Sequence, residues 1–302
     1  MSVKVIMFHY VRPTKRNKFK HLNYFPLEQF RKFLDKELLR LKVISPEAYL
    51  EAVINEKAIP ENALLLSFDD GLYDHYKWVY PELIKRKIGA FFFINTMPLL
   101  NKDMLLVHKI HALSGLMGYR ELSYQFVNKI RSADKFDNNF FENVKAKVAY
   151  PYDEFEIAGF KYALNYLLPN ELVLSTINEL LSENFNFDEL YNEFYLKDSQ
   201  IIEMYNEGMT FGYHGHSHKP FSRLTDEELR TELDIEYDFF QKNNINAKCL
   251  SYPYGDVTAV NSQNIEIIGQ KKIQVAFMAD QASPFTKMQI PRVDCKEIFL
   301  EI

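Results

Sequence analysis

Two clusters in this 302-residue chain combine side chains whose types and spacing suit metal chemistry. One is the acidic pair of Ser67-Phe68-Asp69-Asp70-Gly71, and the other is the histidine cluster of Tyr213-His214-Gly215-His216-Ser217-His218. Two histidines and one carboxylate make a donor set for catalytic zinc or another first-row ion, with positions left open for water and substrate. Ala63-Leu64-Leu65-Leu66 reads as a strand buried on both faces, and Gly71 supplies a turn just beyond it. Successive residues of an extended chain point to opposite sides, so Asp69 and Asp70 are free to take two roles, one as ligand and one as base. His214 and His218 share a side if the chain turns helically after a strand at 209–213. In an extended chain His214, His216 and His218 would all project to one face, so a three-histidine site stays open on spacing alone. Asp-Asp-Gly by itself is an ordinary turn. Three of the chain's eight histidines within five residues is a stronger metal signal.

The elements that must carry these clusters alternate. Strand-like apolar runs recur at 3–8, 63–68, 90–94, 209–213, 247–252, 273–278 and 288–290, most of them separated by helical patterns. The clearest helices are expected at 28–41 and 226–241, the second entered by Thr225 with acidic residues in its first turn. Strands alternating with helices predict an α/β fold with parallel strands, in which side chains at strand ends and their loops gather into a site. Residues 98–196 break the rhythm and read as an inserted helical subdomain, leaving 1–97 and 197–302 as the main domain. For this insertion a scaffolding role and a lid or recognition role weigh equally. His108 and His111, three apart within it, read as a structural pair, and Tyr150-Pro151-Tyr152-Asp153 as a chance echo of Tyr252-Pro253-Tyr254.

Composition narrows the function. A 47% hydrophobic content with 25 Phe and 19 Tyr supports a sizeable core, so most aromatic rings are spent there. The net charge of -5 gives no broad basic surface, which argues against nucleic acid as the main ligand. The apolar run at 3–8 is shorter than a signal-peptide core and no run approaches a membrane span, so a cytoplasmic protein is expected. Cys249 and Cys295 are the only cysteines and are expected as buried free thiols.

These residues resemble the polysaccharide deacetylases, carbohydrate esterases of the family 4 type that share the NodB homology domain. Ser67 to Gly71 is similar to the family's [TS]-F-D-D-G signature, His214 to His218 to its H-x-x-x-H signature, and Leu250-Ser251-Tyr252-Pro253-Tyr254-Gly255 to its third motif. Val5 to Val11 resembles the first strand of many bacterial members. The resemblance implies a distorted (β/α)7 barrel with the helical insertion, Asp69 as catalytic base, and a divalent metal on Asp70, His214 and His218, zinc first and cobalt, manganese or nickel as alternatives. It implies a substrate groove bordered by Tyr252, Pro253 and Tyr254, with His216 beside them. Two motif positions depart from the pattern. Ser251 stands where the family has an arginine, a role Arg292 of Ile290-Pro291-Arg292-Val293-Asp294 is expected to take over, and no histidine follows His218 to act as general acid. The activity implied is metal-dependent removal of an N-acetyl group from an acylated amino sugar, a surface-polysaccharide precursor. The alternatives are an O-acetyl or formyl sugar deacylase and a catalytically weak sugar-binding relative.

Overall fold

The computed structural model describes residues 4–15, 17–132, 147, 153–281 and 285–299. The Tyr150–Tyr152 echo lies outside them. The chain forms two compact units. The first comprises Met1–Lys15, Tyr24–Asp103 and Asn192–Ile302; the second comprises Arg16–Asn23 and Met104–Tyr191.

The first unit is built on one parallel sheet. Its strands are β1 (Lys4–Phe8), β4 (Lys42–Val43), β5 (Ala63–Phe68), β6 (Phe91–Ile94), β7 (Thr210–Tyr213), β8 (Cys249–Ser251), β9 (Val275–Phe277) and β10 (Val293–Asp294). The path runs β10-β1-β5-β6-β7-β8-β9, seven strands in all, with β4 pairing β5 off the path. Two short strands, β2 (Val11–Arg12) and β3 (Phe25–Pro26), form a separate parallel pair. The path nearly closes on itself, because the Met278 N–H donates to Ile290 O at 2.8 Å and the Ile290 N–H to Ala276 O at 2.9 Å. A few residues later β10 pairs with β1. Residues 290–294 therefore join the two ends of the curl, and Arg292 sits in that join.

Burial explains the strands. All six residues of β5 and all four of β6 are buried, the continuous apolar signature of a strand covered on both faces. Alternate residues feed two clusters. Ile6, Phe8, Leu64, Leu66, Phe68 and Phe92 share one with residues of helices Leu27–Glu37 and Asp226–Lys242. Val5, Leu65, Phe91, Phe93 and Phe277 share the other with Tyr49. Strand parity puts Ser67 and Asp69 on the side of Leu65.

The structure adjusts several expected elements. The run at 288–290 contributes a bridge at Ile290 rather than a strand, and the strand that pairs with β1 is β10, three residues further on. β2, β3, β4 and β10 are two residues each, below the length at which alternation is readable. Helix Asp226–Lys242 begins as expected, with Thr225 and Glu228 forming a capping box.

Gly212 of β7 shows how tight the sheet is. A Cβ there would lie 2.6 Å from Cys249 O and 2.8 Å from both Cys249 Sγ and Phe93 Cδ1. Gly212→Ala is expected to lower stability by about 1–3 kcal/mol, as overpacking of a dense core does. A lower denaturant midpoint at unchanged slope would show it; an unchanged midpoint would mean the strand relaxes freely.

The second unit is helical, with Leu106–Met117, Tyr119–Ser132, Phe155–Tyr162 and Asn170–Asn184 as its main members. His108 is fully buried there, with its ring 6.0 Å from that of His111. Both cysteines are buried free thiols, and burial pushes both well up. No helix among the described residues is long and apolar enough to cross a membrane.

Candidate metal centre and its base

The acidic pair sits where β5 ends. The Asp69 N–H continues the ladder onto Phe8 O at 3.0 Å, after which the chain turns with φ of +79° at Asp70 and +62° at Gly71. Glycine belongs at the second of these, since a Cβ would also meet Ile94 Cγ2 at 3.1 Å. The left-handed turn separates the two carboxylates.

The histidines meet Asp70 by a different route from the expected one. Residues 214–220 form no helix; the chain leaves β7 in an irregular turn with φ of +72° at Gly215 and +58° at His218. His214 and His218 converge because two left-handed residues reverse the backbone, not because they lie one helical turn apart. His214 Nε2 is 3.3 Å and His218 Nε2 3.4 Å from Asp70 Oδ1. Among the described residues these three form the grouping with metal-ligand potential, their donor atoms all within 4.8 Å of one another. His216 lies outside it. Its Nδ1 faces Thr96 Oγ1 at 2.9 Å, which removes the three-histidine alternative.

The donor chemistry fits a divalent ion. Nδ1 of His214 faces Ser251 O at 2.8 Å, so this nitrogen carries a proton and Nε2 is the one left facing Asp70, where a bound ion would take its lone pair. Burial would lower the His214 pKa, but the charge of Asp69 and the Asp70 carboxylate raise it overall. The pocket thus favours positive charge at the point where the three donors converge.

Asp69 is held apart from that set. Arg292 Nη1 donates to Asp69 Oδ1 at 2.8 Å and Nη2 to Oδ2 at 2.7 Å, a two-point pair between side chains 0% and 2% exposed. Nη2 also donates to Ser251 Oγ at 2.7 Å, Nη1 to Ser67 Oγ at 3.2 Å, and Nε to Met278 O at 3.0 Å. These contacts use the full donor set of a guanidinium, so its orientation is fixed. The Ser251 hydroxyl passes its own proton toward Asp69 Oδ2 at 3.2 Å. Burial alone would raise the Asp69 carboxyl, but the charges of Arg292 and His214 lower it to about 2.

The groove residues separate by side. Tyr252 is 1% exposed and donates its hydroxyl to Met288 O at 2.9 Å, so it belongs to the core, and Pro253 is buried beside it. Tyr254 is 50% exposed at φ +64°, with its ring 5.0 Å from that of His218. Gly255 follows because a Cβ there would meet Ala279 N at 2.5 Å.

Sequence reasoning gave no role to several residues that flank the site. His9 directly follows β1, and the register Phe8↔Phe68 makes it the lateral neighbour of Asp69. Its charge lowers both Asp69 and the buried His75, which burial brings down to about 4. The signal was available, since His9 ends an apolar strand run just as Asp69 does. Asn95, Glu232 and Glu236 left no local signal. Burial raises Glu236 well above the carboxylate range, partly offset by the His214 N–H.

A curled, mostly parallel sheet with helices matches the architecture of the NodB-type deacetylase barrels. Residues 178–273 match the family described as polysaccharide deacetylase, a stretch that includes the histidine cluster. The deacetylase PplD of Streptococcus pyogenes, solved with acetate, aligns at TM-score 0.60 and 15% identity over 99% of this chain and 96% of its own. IcaB from Ammonifex degensii aligns at 0.57 and 14%, over 97% and 91%. A de-N-acetylase from Aggregatibacter actinomycetemcomitans aligns at 0.54 and 15%, over 96% and 94%. These likenesses show the fold, and no curated protein matches the chain. The chain is thus similar to the NodB-like polysaccharide deacetylases in its fold, and matches their family in the stretch that holds the histidine cluster.

Proposed function

We propose that this chain is a metal-dependent hydrolase that removes the N-acetyl group of an acylated amino sugar, a precursor in surface-polysaccharide synthesis. The observation that carries the proposal is the buried, ionised Asp69, clamped by Arg292 beside the Asp70/His214/His218 set. A site for binding alone has no use for a base held in this way. Bound on the three donors, a divalent ion would polarise the acyl carbonyl and bring water toward ionisation near neutral pH.

The chain's own residues then have distinct tasks. Arg292 keeps Asp69 charged and aimed, and Asp69 takes the proton of the attacking water. Breaking a C–N bond also requires a proton on the departing nitrogen, because an amine leaves and an amide anion does not. His9, the lateral neighbour of Asp69 in the β1/β5 register, supplies an imidazole for that step in a chain with no histidine after His218. Tyr254, exposed at the edge of the site, offers a ring face to the sugar. An acetate-bound relative and one described as a de-N-acetylase support the acyl group and bond chosen.

The choice of bond is testable with matched sugars carrying N-acetyl, O-acetyl or N-formyl groups. The N-acetyl sugar is expected to be hydrolysed fastest, and His9→Gln to slow it about 10²-fold, a typical general-acid contribution, while sparing the ester. Preferential ester hydrolysis, unaffected by His9→Gln, would make this an O-deacylase instead.

A further inference from the structure

The turn that presents His214 and His218 has no ladder of its own, yet its peptide groups are tied down on both sides by side chains from two other elements. Asn95 directly follows β6, beside β7 in the register Ile94↔Tyr213, and precedes helix Thr96–Asn101. Asparagine at such a position normally caps its helix. Here it makes no capping bond, and its amide donates instead to His214 O at 2.6 Å and Gly215 O at 2.8 Å. The Met97 N–H binds the next carbonyl, His216 O, at 3.0 Å. From the opposite side, helix Asp226–Lys242 brings two acids four residues apart on one face. Glu236 Oε1 accepts from the His214 N–H at 3.0 Å, and Glu232 Oε2 from the Ser217 N–H at 2.7 Å.

This arrangement is not what stability alone would select. Asn95 and Glu236 are 2% and 0% exposed, and Asn95 Oδ1 and Glu236 Oε2 are buried without a hydrogen-bond partner among the described residues. Burying such groups half-satisfied is unfavourable, whereas an apolar helix face with a self-contained turn would avoid it. What the arrangement achieves is to hold His214 by its N–H, its carbonyl and its ring, the ring through Ser251 O. We infer that Asn95 and Glu236, with Glu232 assisting, are positioning residues that hold the histidine turn in its ligating geometry before any ion arrives.

This rests on the metal reading of the site, so the experiment separates the two. Apo protein is titrated with Zn²⁺ against a chromophoric chelator, the visible spectrum of the Co²⁺-loaded protein is recorded, and the unfolding midpoint of each apo variant is measured. Asp70→Ala is the control for the metal reading. Asn95→Ala and Glu236→Ala are expected to weaken Zn²⁺ by roughly 10–100-fold, as loss of outer partners of metal ligands does, and to alter the Co²⁺ bands. Glu236→Gln, which keeps an oxygen for the His214 N–H, is expected to restore both readouts to near wild type. Asn95→Ser, whose hydroxyl does not span to two carbonyls, replaces Asn95→Ala should that variant not fold. Folded Asn95 and Glu236→Ala variants with wild-type Zn²⁺ affinity and Co²⁺ spectrum would overturn the inference and leave the metal reading intact. Wild type and Asp70→Ala binding Zn²⁺ equally, or neither binding it, would overturn the metal reading and the inference with it.

Discussion

Asp69→Asn is expected to lower acetate release by about 10²–10⁴-fold, the range of a lost general base, while bound metal stays at the wild-type level. The two outcomes are linked by geometry. Asp69 lies outside the Asp70/His214/His218 grouping, so its loss removes no ligand. Asparagine has the same shape but offers the amide nitrogen to one Arg292 nitrogen, where the carboxylate offered an oxygen to each. A buried guanidinium left without its counter-charge costs about 3–5 kcal/mol, so rates must be compared well below the variant's unfolding midpoint. Metal analysis by mass spectrometry beside an acetate assay gives both numbers. Loss of metal with the activity would show that the roles of the two aspartates are reversed.

The second large effect concerns Arg292. In the wild type burial pushes the Asp69 carboxyl up and is overcome chiefly by the Arg292 charge. Arg292→Met leaves burial opposed only by weaker neighbours, so the carboxyl is expected to rise above its ordinary value, leaving less of the base ionised at a given pH. Turnover should fall about 10²–10³-fold, with the acid limb of the rate profile moved to higher pH. The stability of the apo protein should respond with opposite signs in the two forms. In the wild type, a pKa of about 2 against an ordinary value of about 3.9 means a contribution present above the ordinary value and lost as pH falls through the folded one. In the variant, a raised pKa means a contribution present at low pH and lost as pH rises through it. Relative to wild type, Arg292→Met should therefore gain stability on acidification from neutrality, read as unfolding midpoint against pH. Arg292→Lys should keep part of the charge effect but not the two-point aim. A Met variant with the wild-type rate profile would remove Arg292 from the account.

What was readable in the sequence follows physical range. β5, β6 and β7 announced themselves because strands buried on both faces are locally apolar, and the acids and histidines stood at their ends. The pairing of Arg292 with Asp69 spans 223 residues and depends on a two-residue strand, so only the missing arginine at Ser251 hinted at it. The path of the histidine turn is not legible locally, because spacing of four suits a helix while a left-handed φ at a non-glycine such as His218 is imposed by its surroundings. Tyr252 and Tyr254 carry the same motif signal, yet one donates its hydroxyl inside the core and the other faces outward. Asn95 and Glu236 look like a helix cap and a solvated helix residue; only the packing turns them toward the backbone of the turn.

The measurement that bears most directly on the central claim is acetate release from a panel of N-acetylated sugars and nucleotide sugars by purified protein. It is made as isolated, after chelation, and after zinc is restored. Release from at least one sugar that disappears on chelation and returns with zinc is the predicted result. Release that survives complete removal of metal, or no release from any sugar by protein shown to hold zinc on these three ligands, would contradict it.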